Sequence, residues 1–96
     1  MQKANKSSLI LDIPKEPGIY KMLDKKNGII YIGKAKNLKN RVSSYFTNEA
    51  LLDSKTQSLV KQIHRIDTIV TNSEKEALIL ENQLIKQYQP KYNIIL

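Results

Sequence analysis

Short runs of apolar residues and longer stretches of helical spacing divide the chain into a series of predicted elements. Ile19-Tyr20-Lys21-Met22-Leu23 and Ile29-Ile30-Tyr31-Ile32 are rich in β-branched and aromatic residues and predict two strands. The residues between them, Asp24 to Gly28, end on Asn27-Gly28, a pair suited to a hairpin turn. Looping out residues 25–28 puts Tyr20 and Tyr31 on one face, two positions out of register and about 7 Å apart along the strands. A two-residue loop would separate them by about 13 Å, and the longer loop is preferred. Asn37 is placed to cap a helix through Phe46, with Leu38, Val42, Tyr45 and Phe46 at helical spacing. A second helix is expected from Ser54 to His64, with a thin apolar face of Leu59, Val60 and Ile63, and Ile66 to Thr71 reads as a third strand. Met1 to Ser8 is polar and reads as a frayed end, and Pro14 and Pro17-Gly18 punctuate the approach to the first strand. This pattern predicts an N-terminal segment at 1–13 and one domain at 14–96.

The last helix has the clearest limits. Ser73 followed by Glu76 forms a capping box, and Pro90 stops the helix by Tyr88 or Gln89. Lys91 to Leu96 is expected to leave as an extended segment. It finishes on Ile94-Ile95-Leu96, an apolar close that suggests a fragment of a longer chain. On a wheel of about 100° per residue, Ala77, Leu78, Leu80, Leu84, Ile85 and Tyr88 gather on one side and Glu81 falls within that stripe. Asn82, Gln83, Lys86 and Gln87 take the other side, with Ile79 as a stray apolar residue, and Glu76 faces outward. An ionised carboxylate on a core-facing stripe costs several kcal/mol, roughly, unless it is paired or coordinated. Two readings follow: an ion pair with Lys or Arg, or a metal ligand where helix meets sheet. A lone carboxylate suits Mg²⁺, with Mn²⁺ the alternative, because such ions keep water ligands and need few from the protein.

Composition narrows the chemistry. The 96 residues include no cysteine and one histidine, so disulfides, zinc–thiolate sites and multi-histidine sites are excluded. His64 lies at the end of a weak predicted helix, away from every other feature, and reads as structural or exposed. No apolar run approaches a membrane span and no signal-peptide core follows the N-terminus, so a soluble, cytoplasmic domain is expected. The formal net charge of +7 favours phosphate-rich partners. Lys34, Lys36, Lys39 and Arg41 run from the second strand into the first helix as candidate DNA-binding residues, although a solvated charge run is the usual explanation. Lys34 and Arg41 are better placed, where strand and helix converge and a guanidinium can grip a phosphate in bidentate fashion. Tyr20 and Tyr31 are either ordinary core aromatics or phenols able to orient or deprotonate a water.

Gly18-Ile19-Tyr20 and Tyr31-Ile32-Gly33 are followed by Lys34-Ala35-Lys36-Asn37-Leu38, Arg41, Glu81 within Ala77-Leu78-Ile79-Leu80-Glu81, and Pro90-Lys91-Tyr92-Asn93. In this order and spacing they resemble the GIY-YIG nuclease superfamily, nearest to its UvrC excinuclease branch, over roughly Pro14 to Asn93. The resemblance implies an α+β fold, a small three-stranded antiparallel sheet flanked by helices. It also implies a metal-dependent endonuclease that hydrolyses a DNA phosphodiester, making the 3′ incision of bacterial nucleotide excision repair. Glu81 matches the metal-binding carboxylate, Tyr20 and Tyr31 the paired active-site tyrosines, and Lys34 and Arg41 the residues that steer the phosphate. Tyr45 and Asn93 match supporting positions. The partners implied are DNA and the damage-loading subunit of the excinuclease, the latter through regions outside these residues, with the domain itself monomeric. A restriction or homing nuclease of the same superfamily and a non-catalytic nucleic-acid-binding module are the competing readings; the second leaves Glu81 unexplained.

Overall fold

The computed structural model describes residues 6–95, without the side chains of residues 6, 7 and 95. A short helix α1 (Lys6–Ile10) precedes the hairpin strands β1 (Gly18–Leu23) and β2 (Ile29–Ala35). Helix α2 (Leu38–Thr47), a 3-10 turn at Glu49–Leu51 and α3 (Ser54–Gln62) then lead to β3 (Arg65–Val70). The chain closes with α4 (Glu74–Tyr88) and α5 (Lys91–Ile95). The sheet is antiparallel with order β2-β1-β3, so β1 is central and β2 and β3 are edges. This is the three-stranded α+β architecture expected from the sequence.

The hairpin register pairs Tyr20 with Gly33 and Met22 with Tyr31, so the two tyrosines share a face, two positions apart as expected. Between Met22 and Leu23 the register shifts and Leu23 pairs with Ile29, a bulge the spacing did not reveal. Asn27 takes a left-handed backbone with φ 64°, and the Asp24 carboxylate accepts from the Lys26 and Gly28 amides at 2.9 Å each. Both motif glycines sit where a side chain has no room. A Cβ on Gly18 would lie 2.2 Å from the Ile69 carbonyl oxygen, and one on Gly33 would lie 2.3 Å from Tyr20 Cζ and Oη.

One face of the sheet carries the main core. Tyr20, Met22, Ile30 and Ala35 pack there with Leu38, Val42 and Tyr45 of α2, Leu59 and Val60 of α3, Ile13 and Tyr92. Each fully buried aliphatic side chain in this cluster contributes about 1.5–3 kcal/mol. Asn37 caps α2 by accepting from the Asn40 amide, and Asp53 caps α3 by accepting from Thr56. Ile19 and Ile32, both fully buried, alternate onto the opposite face, where α4 packs on β1 and β2. Ser73 caps α4 as expected, but the Glu76 carboxylate reaches one residue further back, to the Asn72 amide at 3.0 Å.

Three expectations are corrected. The polar start, taken as frayed from Met1 to Ser8, forms α1 from Lys6 onward, and residues 1–5 lie outside those described. The extended exit is a helix: Gln89 turns left-handed at φ 43°, and Pro90 supplies the carbonyl that accepts from Asn93 and Ile94 at 3.1 and 3.3 Å. Pro90 ends α4 and begins α5, because a proline lacks only the amide that a first helical turn leaves unused. The core-facing stripe of α4 is also narrower than the wheel suggested. Ala77 is fully buried and Leu80, Glu81, Leu84 and Ile85 are half-buried, whereas Leu78 and Tyr88 are exposed. A three-stranded platform gives a helix little width to bury.

Candidate active site

Three aromatic side chains and one guanidinium meet on the α2 side of the hairpin. The rings of Tyr20 and Tyr31 are 6.2 Å apart between centroids, and those of Tyr20 and Tyr45 are 6.1 Å apart, edge to face. The hydroxyls of Tyr20 and Tyr45 share a hydrogen bond of 2.8 Å. Arg41, one helical turn before Tyr45, donates from Nη2 to the Tyr45 hydroxyl at 3.2 Å, and its guanidinium carbon lies 4.9 Å from that ring's centroid. Tyr45 is therefore the hub, linking Tyr20 beneath to Arg41 above. Its place comes from helical spacing: Leu38, Val42 and Tyr45 are the buried residues of α2.

The outer edge of β2 organises the rest. Ile32 directs its amide and carbonyl away from β1, and Asn93 pairs with both: Asn93 Oδ1 accepts from the Ile32 amide and Nδ2 donates to its carbonyl, each at 2.8 Å. Helix α5 is held in turn by Tyr92, whose buried hydroxyl accepts from Gln62 Nε2 at 2.6 Å and shares a 2.8 Å hydrogen bond with Ser58 Oγ. Two residues along the same edge is Lys34, whose charge and main-chain amide both act to lower the pKa of Glu81 on α4, the helix packed on β2. Glu81 thus meets the hairpin at the β2 edge, one residue beyond the Tyr31-Ile32-Gly33 motif.

The electrostatics are those of a centre short of positive charge. Burial raises the Glu81 carboxyl above the usual range, and Lys34 offsets this only in part, by its charge and its amide. Burial also pushes the Tyr31 phenol up to about 12, with Tyr45 and Glu81 adding to the rise and Arg41 opposing it. Tyr20, only 1% exposed, is raised further by burial, by Tyr45 and by Tyr31. Burial disfavours the charge on Arg41, but its interactions with Tyr20, Tyr45 and Tyr31 more than offset that, so its pKa is raised. Both phenols are protonated at neutral pH. Of the two, Tyr31 is the half-buried one and has a route to solvent.

The sequence-predicted residues divide into two groups. Tyr20, Tyr31, Arg41 and Tyr45 form one contact cluster, with Lys34, Glu81 and Asn93 along the neighbouring strand edge. Lys36 is exposed just before the α2 cap, and Lys39 donates to the Leu11 carbonyl at 3.5 Å, where α1 meets α2. His64 stays remote, its amide bonded to the Leu23 carbonyl. Glu74 went unnoticed in the sequence: its Oε1 lies 4.0 Å from Lys34 Nζ. The available signal was its spacing of seven from Glu81, two helical turns on the same side.

A model of the UvrC-like GIY-YIG domain matches residues 16–94. The chain belongs to the UvrC-like GIY-YIG family. Its similarity to UvrABC system protein C is 54% identity over 89 residues in Actinobacillus pleuropneumoniae and 56% over 90 residues in Pseudoalteromonas atlantica. Each match covers 93% of this chain but 14% of the relative, so this GIY-YIG domain spans a small part of the length of the curated proteins it matches. Among solved structures, the GIY-YIG N-terminal endonuclease domain of UvrC from Thermotoga maritima, bound to catalytic magnesium, superposes with a TM-score of 0.81 at 42% identity. The match covers 95% of this chain and 98% of that one. The same Thermotoga domain with a single asparagine replaced by alanine, or a single tyrosine by phenylalanine in three separate variants, is likewise bound to its catalytic divalent cation.

Proposed function

We propose that this GIY-YIG domain is a divalent-metal-dependent endonuclease that hydrolyses a DNA phosphodiester, and that residues 14–96 serve the 3′ incision of bacterial nucleotide excision repair within a longer protein. The observation that carries the reading is the half-buried Glu81 carboxylate, under-compensated in charge, at the strand edge that also carries Tyr31 and Lys34. A hard cation fits this donor set: one carboxylate, no thiolate or imidazole, and negative charge that burial disfavours until a cation balances it. No group of three or more acidic, histidine or cysteine side chains suited to a metal exists among the described residues, which accords with an ion that keeps most of its water. The Thermotoga variants that keep their cation after losing a tyrosine hydroxyl support a carboxylate, rather than a phenol, as the holding group.

When bound, Mg²⁺ or Mn²⁺ supplies Lewis-acid polarisation of the phosphate and neutralises the leaving oxygen. The chain's own residues do the rest. Glu81 holds the ion. Tyr31, protonated at neutral pH and open to solvent, presents its oxygen to the attacking water and holds it in line. Arg41 opposes the rise of the Tyr31 pKa, and a cation held at Glu81 would oppose it further, easing loss of the phenol's own proton to solvent; the phenolate so formed would take the proton of the attacking water. Tyr20 is enclosed and acts through Tyr45. Arg41 and Lys34 stabilise the charge that develops on the phosphoryl oxygens, worth about 3 kcal/mol for one well-placed donor. DNA is the substrate, favoured by the net charge of +7. The damage-loading subunit of the excinuclease docks through regions outside this domain, and the domain itself is monomeric and cytoplasmic. Among the described residues no helix is long and apolar enough to cross a membrane.

The direct test is Glu81→Gln in a plasmid-nicking assay with Mn²⁺, with DNA binding measured in parallel. Nicking is expected to fall by at least about a hundredfold while DNA affinity holds. Unchanged nicking would sink the assignment of Glu81 as metal ligand, and DNA binding without any cation-dependent nicking by the full-length protein together with the damage-loading subunit would favour the non-catalytic module.

A further inference from the structure

We infer that Glu74 is a positioning residue that draws the Lys34 ammonium away from Glu81 and so keeps the metal-holding carboxylate open. The inference rests on the endonuclease reading above. Lys34 lies on the edge strand that packs against α4, whose acidic side chains Glu74 and Glu81 are two turns apart and on the same side. Its ammonium reaches Glu74 at 4.0 Å, and its charge also acts on Glu81.

The geometry poses a competition. A lysine beside a lone carboxylate is its natural counter-ion, and an ammonium seated on Glu81 would occupy the place that the cation needs. Glu74 gives that ammonium a second partner. Both members of the Lys34–Glu74 pair are about two-fifths exposed, at 35% and 44%, so the pair is weak and exchangeable. That suits a residue that must also turn towards a substrate phosphate. Strength is not what the arrangement needs; an alternative resting place for one positive charge is enough.

Mn²⁺ affinity, read by titration calorimetry and by electron paramagnetic resonance of the free ion, tests this without any nicking assay. Four proteins are compared: wild type, Glu74→Gln, Lys34→Met and the double variant. In Glu74→Gln the ammonium falls back on Glu81, and the Mn²⁺ Kd is expected to rise about fivefold, while Glu74→Asp restores it. In the Lys34→Met background the Glu74→Gln change is expected to leave the Kd within about twofold, because no ammonium remains to be placed. An equal loss in both backgrounds would mean that Glu74 attracts the cation directly and would overturn the inference, as would an unchanged Kd in Glu74→Gln alone. Glu81→Gln serves as the control: Mn²⁺ binding that survives it overturns the underlying assignment of Glu81 rather than the role of Glu74. Circular dichroism melts confirm that each variant is folded.

Discussion

Replacing Gly33 by alanine tests whether the second motif glycine exists for the tyrosine that lies across it. The added methyl carbon would sit 2.3 Å from both Cζ and Oη of Tyr20, closer than any real contact allows. Tyr20 is 1% exposed, directly opposite Gly33 in the β1–β2 register, and bonded to Tyr45 at 2.8 Å. It has nowhere to retreat without breaking that bond. Overpacking of this kind costs about 1–3 kcal/mol, and losing the buried hydroxyl pair adds about 1 kcal/mol. The expected loss is about 2–4 kcal/mol, which for a domain of this length lowers Tm by about 10–25 °C. The assay is urea and thermal unfolding of Gly33→Ala, Tyr20→Ala and the double variant. If the clash is the cause, the alanine at 33 costs less than about 0.5 kcal/mol once Tyr20 is truncated. A Gly33→Ala protein as stable as wild type, or a penalty that persists without the Tyr20 ring, would refute the reasoning and point to backbone effects in β2.

Asn93→Ala removes both side-chain partners of Ile32 and leaves a strand-edge amide and carbonyl unpaired; about 2–4 kcal/mol of stability is expected to be lost in urea titrations, with hydrogen exchange at the Ile32 amide accelerated. Arg41→Ala gives up one hydrogen bond and the stacking on Tyr45, so a loss of about 1–2 kcal/mol is expected with circular dichroism retained, while Mn²⁺-dependent nicking falls by about a hundredfold or more. The raised phenols set an alkaline limit. Because the fold favours protonated Tyr31, its contribution to stability is complete below pH 10 and is lost as pH climbs towards about 12. Urea midpoints at about pH 9 and about pH 11.5 are expected to diverge less in Tyr31→Phe than in wild type, and equal divergence would count against the shift.

Period and punctuation made most of the fold legible. Alternating β-branched and aromatic residues identified the strands, and the even loop count put Tyr20 and Tyr31 on one face at the observed offset. Asn37, Ser73 and Pro90 marked helix limits within a residue or so, because caps and prolines act locally. Side-chain partners from distant parts of the chain were not legible. That Tyr45 joins Tyr20 to Arg41, or that Asn93 seizes both groups of Ile32, depends on how α2 and α5 settle on the sheet, which no local pattern encodes. The same holds for the true breadth of the α4 stripe. The wheel gave Leu78 and Tyr88 to the core, and the narrow sheet left them in solvent. Helix α5 escaped notice because five residues are too few for a period to emerge.

The two bonds from Asn93 reach back 61 positions to the middle of the hairpin. A ribosome making this protein releases the strands, the phenols and the carboxylate-bearing helix before the residue that clips the sheet margin shut. Until residue 93 leaves the exit tunnel, the outer edge of β2 at Ile32 stands unlatched.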